Sequence, residues 1–598
     1  MAIPTFISQY PGVSWLMFSL PKIVAPAFLV YTFISSSVGL LVGWESLERS
    51  RWKIVVASAL TFPIASFCSI TWRRWRIAYR ARSLGATTPP VIAGRLPGSL
   101  DIVWLGAKSR FTAYPGDRVD GWLRESNQTM IFRILFEDRI FTTEPAYIKS
   151  ILAIDFEKFG KGERFHGLMG PLLGHGIFNT DGAPWKFHRS MSRPFFAKEK
   201  IQHFQIFDRH ANDTVGQIRD RLREGVPIDI QDAVSRYTLD CATEFLFGTD
   251  VCSLSAGLRY PPGHRFSVRA QSHPSNLFAK AFRGAQEAVA RRFHYSSFWP
   301  LIEFWRNEVD TRMGIISEFV DPIISAALEK KREEKLSPDV EEEDTLLQYL
   351  INESTDHKFI KDETINIMIA GRDTTASTLT FAVAMLADNP HVLRRLREEI
   401  LSVLGTNQVP TFEHVREMKY LRAVINETLR LYPPVPFNVR CATEEILWQS
   451  TTGGQPIYIP KGSSCIYSIF LMHRREDLWG PDALVFDPDR FLDDRLRKYL
   501  LPNPFIFLPF NAGPRICLGQ QFAYNEVSLF LIRLLQTFSG ICFAPDADPS
   551  SLPPASWKTG EARRPIERVW LKTHLTLYAN NGCWFRMREA ENGTVEVR

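Results

Sequence analysis

Residues 509–521 read PFNAGPRICLGQQ. Phe510, Gly513, Arg515, Cys517 and Gly519 stand in the spacing F-x-x-G-x-R-x-C-x-G. Fixed positions of such uncommon residue types coincide by chance in roughly one chain in 10,000. The residue types suit a loop that presents a thiolate. Glycine at 513 and 519 permits tight turns and close backbone approach. Free backbone N–H groups can then point at the sulfur. A helix beginning near Leu518 adds its positive end, which favours thiolate over thiol. Phe510 is placed to pack over the loop and exclude water. A lone cysteine is ordinarily a buried hydrophobe, and that is the expectation for Cys68, Cys241, Cys252, Cys441, Cys465, Cys542 and Cys583.

The rest of the composition narrows the classes. The chain has 598 residues, 45% of them hydrophobic and 23% charged, which is ample for a large core and fits an ordered, globular protein. The net charge of +6 is small for this size, and Lys and Arg are spread along the chain without a clustered arm, so nucleic acid is not an expected partner. The cysteines are scattered and form no CxxC pair. That argues against a zinc site or a disulfide framework and fits a reducing compartment.

Two apolar runs, at about 23–43 and 54–72, each have roughly the 20 residues needed to cross a bilayer core. A polar loop with Glu45, Glu48, Arg49, Arg51 and Lys53 separates them, and Pro63 interrupts the second. Neither ends in a convincing signal-peptide cleavage site. Arg73, Arg74, Arg76, Arg80 and Arg82 follow, and arginine beside a span marks the cytoplasmic side. Residues 1–88 are therefore expected to be a membrane anchor with one or two transmembrane helices. Residues 89–98 read as a proline-rich connector, and 99–598 as one catalytic domain facing the cytosol.

Within that domain helical patterns dominate, with strand-like pieces near Tyr114, across 130–141 and at the C-terminus. The charge run 329–344 (EKKREEKLSPDVEEED) reads as a solvated helix end and loop. Residues 546–564, rich in Pro, Ser and Ala, read as a surface insertion. Residues 574–587 alternate apolar and polar around Asn580, Asn581 and Gly582, a hairpin signal.

Four further motifs accompany the cysteine loop. Residues 426–430 (NETLR) put Glu427 and Arg430 on one helix face. Residues 486–491 read FDPDRF, residues 370–375 read AGRDTT inside a long apolar helix, and residues 185–189 read WKFHR. Together with the cysteine loop they resemble the cytochrome P450 family over nearly the whole chain after the anchor. The resemblance implies a mainly α fold with smaller β-sheets. It implies haem b as cofactor, with Cys517 as axial thiolate. Trp185, Arg189, Arg440 and Arg515 become candidates for binding the haem propionates, with Phe510, Gly513 and Gly519 shaping the loop. Glu427, Arg430 and Arg490 become a buried charge network behind the loop, where loss of one partner is poorly tolerated. Asp489 stands where the family pattern has Glu. Gly371 would leave room for O₂, Thr374 would hold oxygen and a water by hydrogen bonding, and Asp373 would relay protons. Ala370 stands where some fatty-acid hydroxylases carry a haem-esterifying Glu, so that link is not expected. His188 and His473 read as structural.

The sequence has no G-x-G-x-x-G dinucleotide fingerprint after a strand and no length to spare for a flavin reductase. The resemblance therefore implies electrons from NADPH through NADPH–cytochrome P450 reductase at the endoplasmic reticulum membrane, and admits cytochrome b5 beside it. The reaction expected is insertion of one atom of O₂ into a C–H bond. The segments 160–162 (GKG), 171–182 (PLLGHGIFNTDG) and 501–521 are most similar to fungal alkane and fatty-acid hydroxylases. That implies a long-chain apolar substrate oxidised near its terminus, in a pocket lined from 165–178, 365–374, 435–438 and 582–584. Polycyclic aromatics and other xenobiotics are alternative substrates. A non-oxygenating haem-thiolate enzyme and a haem-binding sensor are the alternative classes.

Overall fold

The computed structural model describes residues 9–590 apart from 43, 110–111, 197–203, 267–272 and 335–344. The fold is mainly helical with small sheets. At its centre runs the 32-residue helix His357–Asp388. The Asp356 carboxylate caps its start by accepting from Lys358 N–H at 3.0 Å, as N-cap aspartates do. It stops at Asn389, ahead of Pro390, which cannot continue a helix. From Thr375 to Leu386 every residue of it is buried, so the helix is core on all sides. Around it pack Ile230–Phe247, Glu308–Glu334, Lys419–Leu431 and Gln520–Thr537, and Pro274–Tyr295 reaches it through Gln286.

A six-stranded sheet lies to one side, in the order Val91–Ala93, Thr129–Ile134, Glu137–Thr142, Ser464–Ser468, Phe437–Ala442, Phe159–Gly160. The hairpin of Thr129–Ile134 with Glu137–Thr142 matches the strand reading of 130–141. Val91–Ala93, inside the stretch read as a connector, forms the edge strand beside it. Tyr114 is not in a strand. Its ring packs edge-on against Trp557 at 5.0 Å, and its hydroxyl donates to Glu567.

Two C-terminal readings are corrected. The hairpin pairs Leu571–Thr573 with Leu577–Ala579 and turns at His574–Thr576, not at Asn580–Gly582. The later turn, with Asn581 and Gly582 at positive φ, sends the chain to another sheet, where Trp584–Glu589 pairs with Phe538–Phe543 and Ile228–Asp229. Residues 546–564 are not a surface insertion. Trp557 and Arg563 are both 3% exposed. Trp557 Nε1 donates to Thr112 O at 2.7 Å. Arg563 donates to Glu567, to the Tyr432 hydroxyl and to Leu484 O. The polar composition hid a strap held by two large side chains.

The two N-terminal runs lie within the helices Pro11–Val42 and Trp44–Ser83. Among the described residues, no helix is long and apolar enough to cross a membrane. Pro63 and the hydroxyls of Ser58, Thr61, Ser66, Ser69 and Thr71 dilute the second run. The first helix touches the catalytic domain at its start, where Gly12 N–H donates to Phe304 O and Trp15 Nε1 to Ser297 O. Of the charge run 329–344, residues 329–334 end the helix Glu308–Glu334, and 335–344 lie outside the described residues.

The strap gives a stability prediction. Arg563→Met leaves the Glu567 carboxyl buried without its cation, and removing one partner of a buried pair costs about 3–5 kcal/mol. We expect a clear drop in the urea midpoint of the detergent-solubilised protein. An unchanged midpoint would remove the strap from the stabilising core.

Candidate active site

The cysteine loop hangs from a buried scaffold. In helix Lys419–Leu431 the apolar face points inward and carries Glu427 and Arg430 with it, both fully buried. Arg430 donates to both Glu427 oxygens at 2.7 and 2.8 Å. Its remaining donors go to the carbonyls of His473, Ala483 and Val485. Glu427 also accepts from Asp487 N–H at 2.9 Å. Arg490 approaches Glu427 only to 3.6 Å. Its closer carboxylate is Asp482, at 2.9 Å, so the network has a fourth member that the sequence did not reveal. His473 is buried, and burial followed by the neighbouring Arg430 charge pushes its pKa down to about 3. The neutral ring bridges two elements: Nδ1 lies 3.1 Å from Arg430 O, and Nε2 accepts from Leu508 N–H at 2.9 Å. Leu508 is where the cysteine loop begins.

The loop closes on itself through Cys517 N–H, which donates to Phe510 O at 3.0 Å. The Phe510 ring packs on Tyr524. Gly513 has φ +67°, and a Cβ there would sit 1.9 Å from Leu152 O, so this glycine is demanded twice over. Gly519 is different. Its φ is −87° and a Cβ would meet its nearest neighbour at 3.8 Å; it faces the cavity instead. Gly519 is the N-cap of Gln520–Thr537, so the helix starts two residues later than expected.

Cys517 is exposed on the wall of a 1620 Å³ cavity. Burial within the protein mass raises its thiol pKa, while the Gly519 N–H and the Arg189 charge pull it down. Cys241, Cys465 and Cys583 are buried, whereas Cys68, Cys252 and Cys542 are exposed and Cys441 is half-buried.

Trp185, Arg189, Arg440 and Arg515 line the same cavity. The Arg515 guanidinium lies 4.4 Å from the Trp185 ring centroid and donates to Asp181 at 2.7 Å. Desolvation and the nearby Arg440 charge lower its pKa to about 10. Lys161 joins them. Burial of its ammonium, then Arg440 and Arg515, hold its pKa well below the usual lysine range. The sequence flagged Lys161 only as part of a glycine-flanked motif; a lysine between two glycines was its one visible signal. Among the described residues, Asp181 pairs with Arg515 and with His166, while Lys161, Arg189 and Arg440 have no carboxylate within ion-pair distance.

On the opposite wall Ala370, Gly371 and Thr374 face the cavity. A Cβ on Gly371 would meet nothing within 4 Å, so the glycine leaves open space. Thr374 Oγ1 donates to Ala370 O at 2.6 Å, the helical back-bond that satisfies a buried hydroxyl. Asp373 is not part of the wall. Arg372 holds it at 2.9 Å and Gln286 donates to it from helix Pro274–Tyr295. His188 is buried against Glu363. Of the expected lining, Phe165, Ile177, Ile369, Val435 and Asn438 face the cavity. Residues 582–584 do not; the hairpin residues Trp570–Thr576 take their place, following the shifted turn.

Glu526, one helix along from Cys517, was missed altogether. It is buried, its Oε2 has no hydrogen-bond partner among the described residues, Thr375 is its polar neighbour, and desolvation raises its pKa to about 8. An acid whose folded pKa lies above its unfolded value loses stability as pH rises between the two. The window here runs from about 4.5 to about 8. Glu526→Gln should flatten the decline of urea stability across that window. An equally steep decline in the variant would assign it to other groups.

A model of the family described as cytochrome P450 matches residues 118–559. The strands Leu571–Thr573, Leu577–Ala579 and Trp584–Glu589 lie beyond that match. Cytochrome P450 52A3-B of Candida maltosa is 36% identical over 507 residues, covering 82% of this chain and 91% of that protein. Cytochrome P450 52E1 of Candida apicola is 36% identical over 77% of this chain and 87% of its own length. Cytochrome P450 52A1 of Candida tropicalis is 38% identical over 70% and 76%.

Proposed function

Because the chain belongs to the cytochrome P450 family and is a monooxygenase of it, we propose that it holds haem b on Cys517 and hydroxylates a long-chain alkane or fatty acid near the chain terminus. One observation carries the reading. Lys161, Arg189, Arg440 and Arg515 line the cavity that exposes Cys517, and among the described residues the carboxylate ion-paired with any of the four is Asp181, on Arg515. Four cations clustered on a wall where they are partly or, for Arg440, fully buried are costly unless an anion joins them. A flat macrocycle with two propionates supplies that anion, and its iron needs the thiolate.

Bound haem supplies the activation of O₂ and the oxidation of the C–H bond. The protein's own residues do the rest. Arg189, Arg440 and Arg515 take the propionates, since guanidinium matches carboxylate geometry, Lys161 adds an ammonium beside them, and Trp185 backs the Arg515 plane. Gly519 N–H and the start of its helix temper the sulfur charge. Gly371 leaves the space for O₂. The Thr374 hydroxyl, released from Ala370 O, holds a water beside it. Asp373 brings protons from the Gln286 side, turning from Arg372 toward Thr374.

The donor of electrons in this reading is NADPH–cytochrome P450 reductase, with cytochrome b5 as a second donor. The site is the endoplasmic reticulum membrane with the catalytic domain in the cytosol. Exposed Val55, Leu60, Ile64, Phe67, Trp72 and Trp75 on helix Trp44–Ser83 support contact with an apolar medium, and the arginines that follow support the orientation. Names of the relatives do not state a substrate. The long-chain reading rests on the shared segments around 160–182 and 501–521 and on the apolar wall of the cavity.

Thr374→Ala should uncouple turnover. NADPH consumption continues, hydroxylated product falls several-fold and peroxide rises, as measured on the reconstituted enzyme. Fully coupled turnover in the variant would take the hydroxyl out of the reaction.

A further inference from the structure

The glycine-flanked segment 160–162 and the start of helix Gly182–Ser192 meet on one carboxylate, Asp181. Asp181 is the N-cap of the helix that carries Trp185 and Arg189, yet its side chain makes no capping bond. An aspartate in that position ordinarily accepts from the first turn of its helix. This one points elsewhere. Oδ2 accepts from Lys161 N–H at 2.7 Å and from Gly162 N–H at 3.4 Å, and His166 Nε2 donates to the same oxygen at 3.0 Å. Oδ1 accepts from Arg515 Nη2 at 2.7 Å. A Cβ on Gly160 would sit 2.9 Å from Oδ2, so the close approach requires a glycine there. The 160–162 motif is thus a cradle for the Asp181 carboxylate.

The carboxylate is ionised and stands behind the cavity wall. Desolvation works against its charge, but the Lys161 N–H and then the Arg515 guanidinium outweigh it and keep its pKa below the usual carboxylate value. Arg515 lines the cavity of Cys517, whereas Asp181 lines a second cavity, of 790 Å³, together with His166 and Asn179. Whatever Asp181 does for a group bound beside Cys517 it therefore does through Arg515. That guanidinium is held along one side. Its Nη2 donates to both Asp181 and Thr180 O, the latter at 2.9 Å, and its plane lies 4.4 Å from the Trp185 ring centroid. Its Nη1 has no hydrogen-bond partner among the described residues and is left for an anion.

We propose that Asp181 is a positioning residue for haem: it fixes Arg515 by one nitrogen so that the other meets a propionate, and His166 with the 160–162 segment fixes Asp181 in turn. This rests on the haem reading above and extends it to residues that do not face the cavity of Cys517. Partners that orient a binding group from behind commonly govern affinity roughly tenfold or more.

The test is the rate at which the purified ferric holoprotein loses haem to excess apomyoglobin, with the resonance Raman bending bands of the propionates recorded on the same samples. Asp181→Asn keeps the shape and an acceptor for Lys161 N–H and removes the charge. It should lose haem roughly tenfold faster and shift the propionate bands. Arg515→Gln should do the same, and Asp181→Asn/Arg515→Gln should be no faster than Arg515→Gln alone, because residues acting through one another are not additive. His166→Ala leaves the Arg515 bond in place and should give a smaller change in both readouts, which also vanishes once Arg515 is replaced by Gln. Variants at Asp181 and His166 that match the native rate and bands, or whose effects add to that of Arg515→Gln, would overturn the positioning role while leaving haem on Cys517 standing. A native protein that takes up no haem would overturn both.

Discussion

A guanidinium with no solvent exposure must place all of its donors on protein, and Arg430 does so. Its partners are Glu427 and the carbonyls of His473, Ala483 and Val485. Those bonds pin one helix to the irregular chain from 473 to 487. His473 then passes the constraint on, with one ring nitrogen on Arg430 O and the other on Leu508 N–H. Cys517 sits nine residues beyond that anchor. A loop is ordinarily the mobile part of a fold; this one is held from behind by a charge that cannot be left unpaired. The position of Cys517 therefore depends on a pair that lies behind the loop and away from the cavity.

The second organising force is electrostatic and faces the cavity. Lys161, Arg189, Arg440 and Arg515 gather there, and among the described residues Asp181 is the carboxylate ion-paired with any of the four. Placing charge where no protein partner exists is destabilising for the chain alone. In the proposed reading, haem propionates supply the missing anions.

Much of this was legible in the sequence, for a specific reason. The loop around Cys517, the Glu427–Arg430 pair and the Thr374 segment are local patterns whose chemistry depends on spacing along the chain. What escaped were contacts between distant segments. Asp482 completes the Arg490 site and Gln286 holds Asp373, yet neither sits in a motif. The strap at 546–564 looked like a surface insertion because its small polar residues outnumber Trp557 and Arg563, the two that bury. The final hairpin was displaced because Asn581 and Gly582, ideal turn residues, serve a turn between sheets. Gly519 fits the spacing, yet it owes its identity to the cavity and not to backbone strain. The apolar N-terminal runs form helices, but no described helix is long and apolar enough to cross a membrane.

The central claim is that Cys517 provides the axial thiolate. The most direct measurement is the absorption spectrum of the reduced, CO-treated protein. The native chain and Cys465→Ser should both give the red-shifted Soret band of thiolate-ligated haem, and Cys517→Ser should lack it. A Cys517→Ser protein that keeps the band would contradict the account.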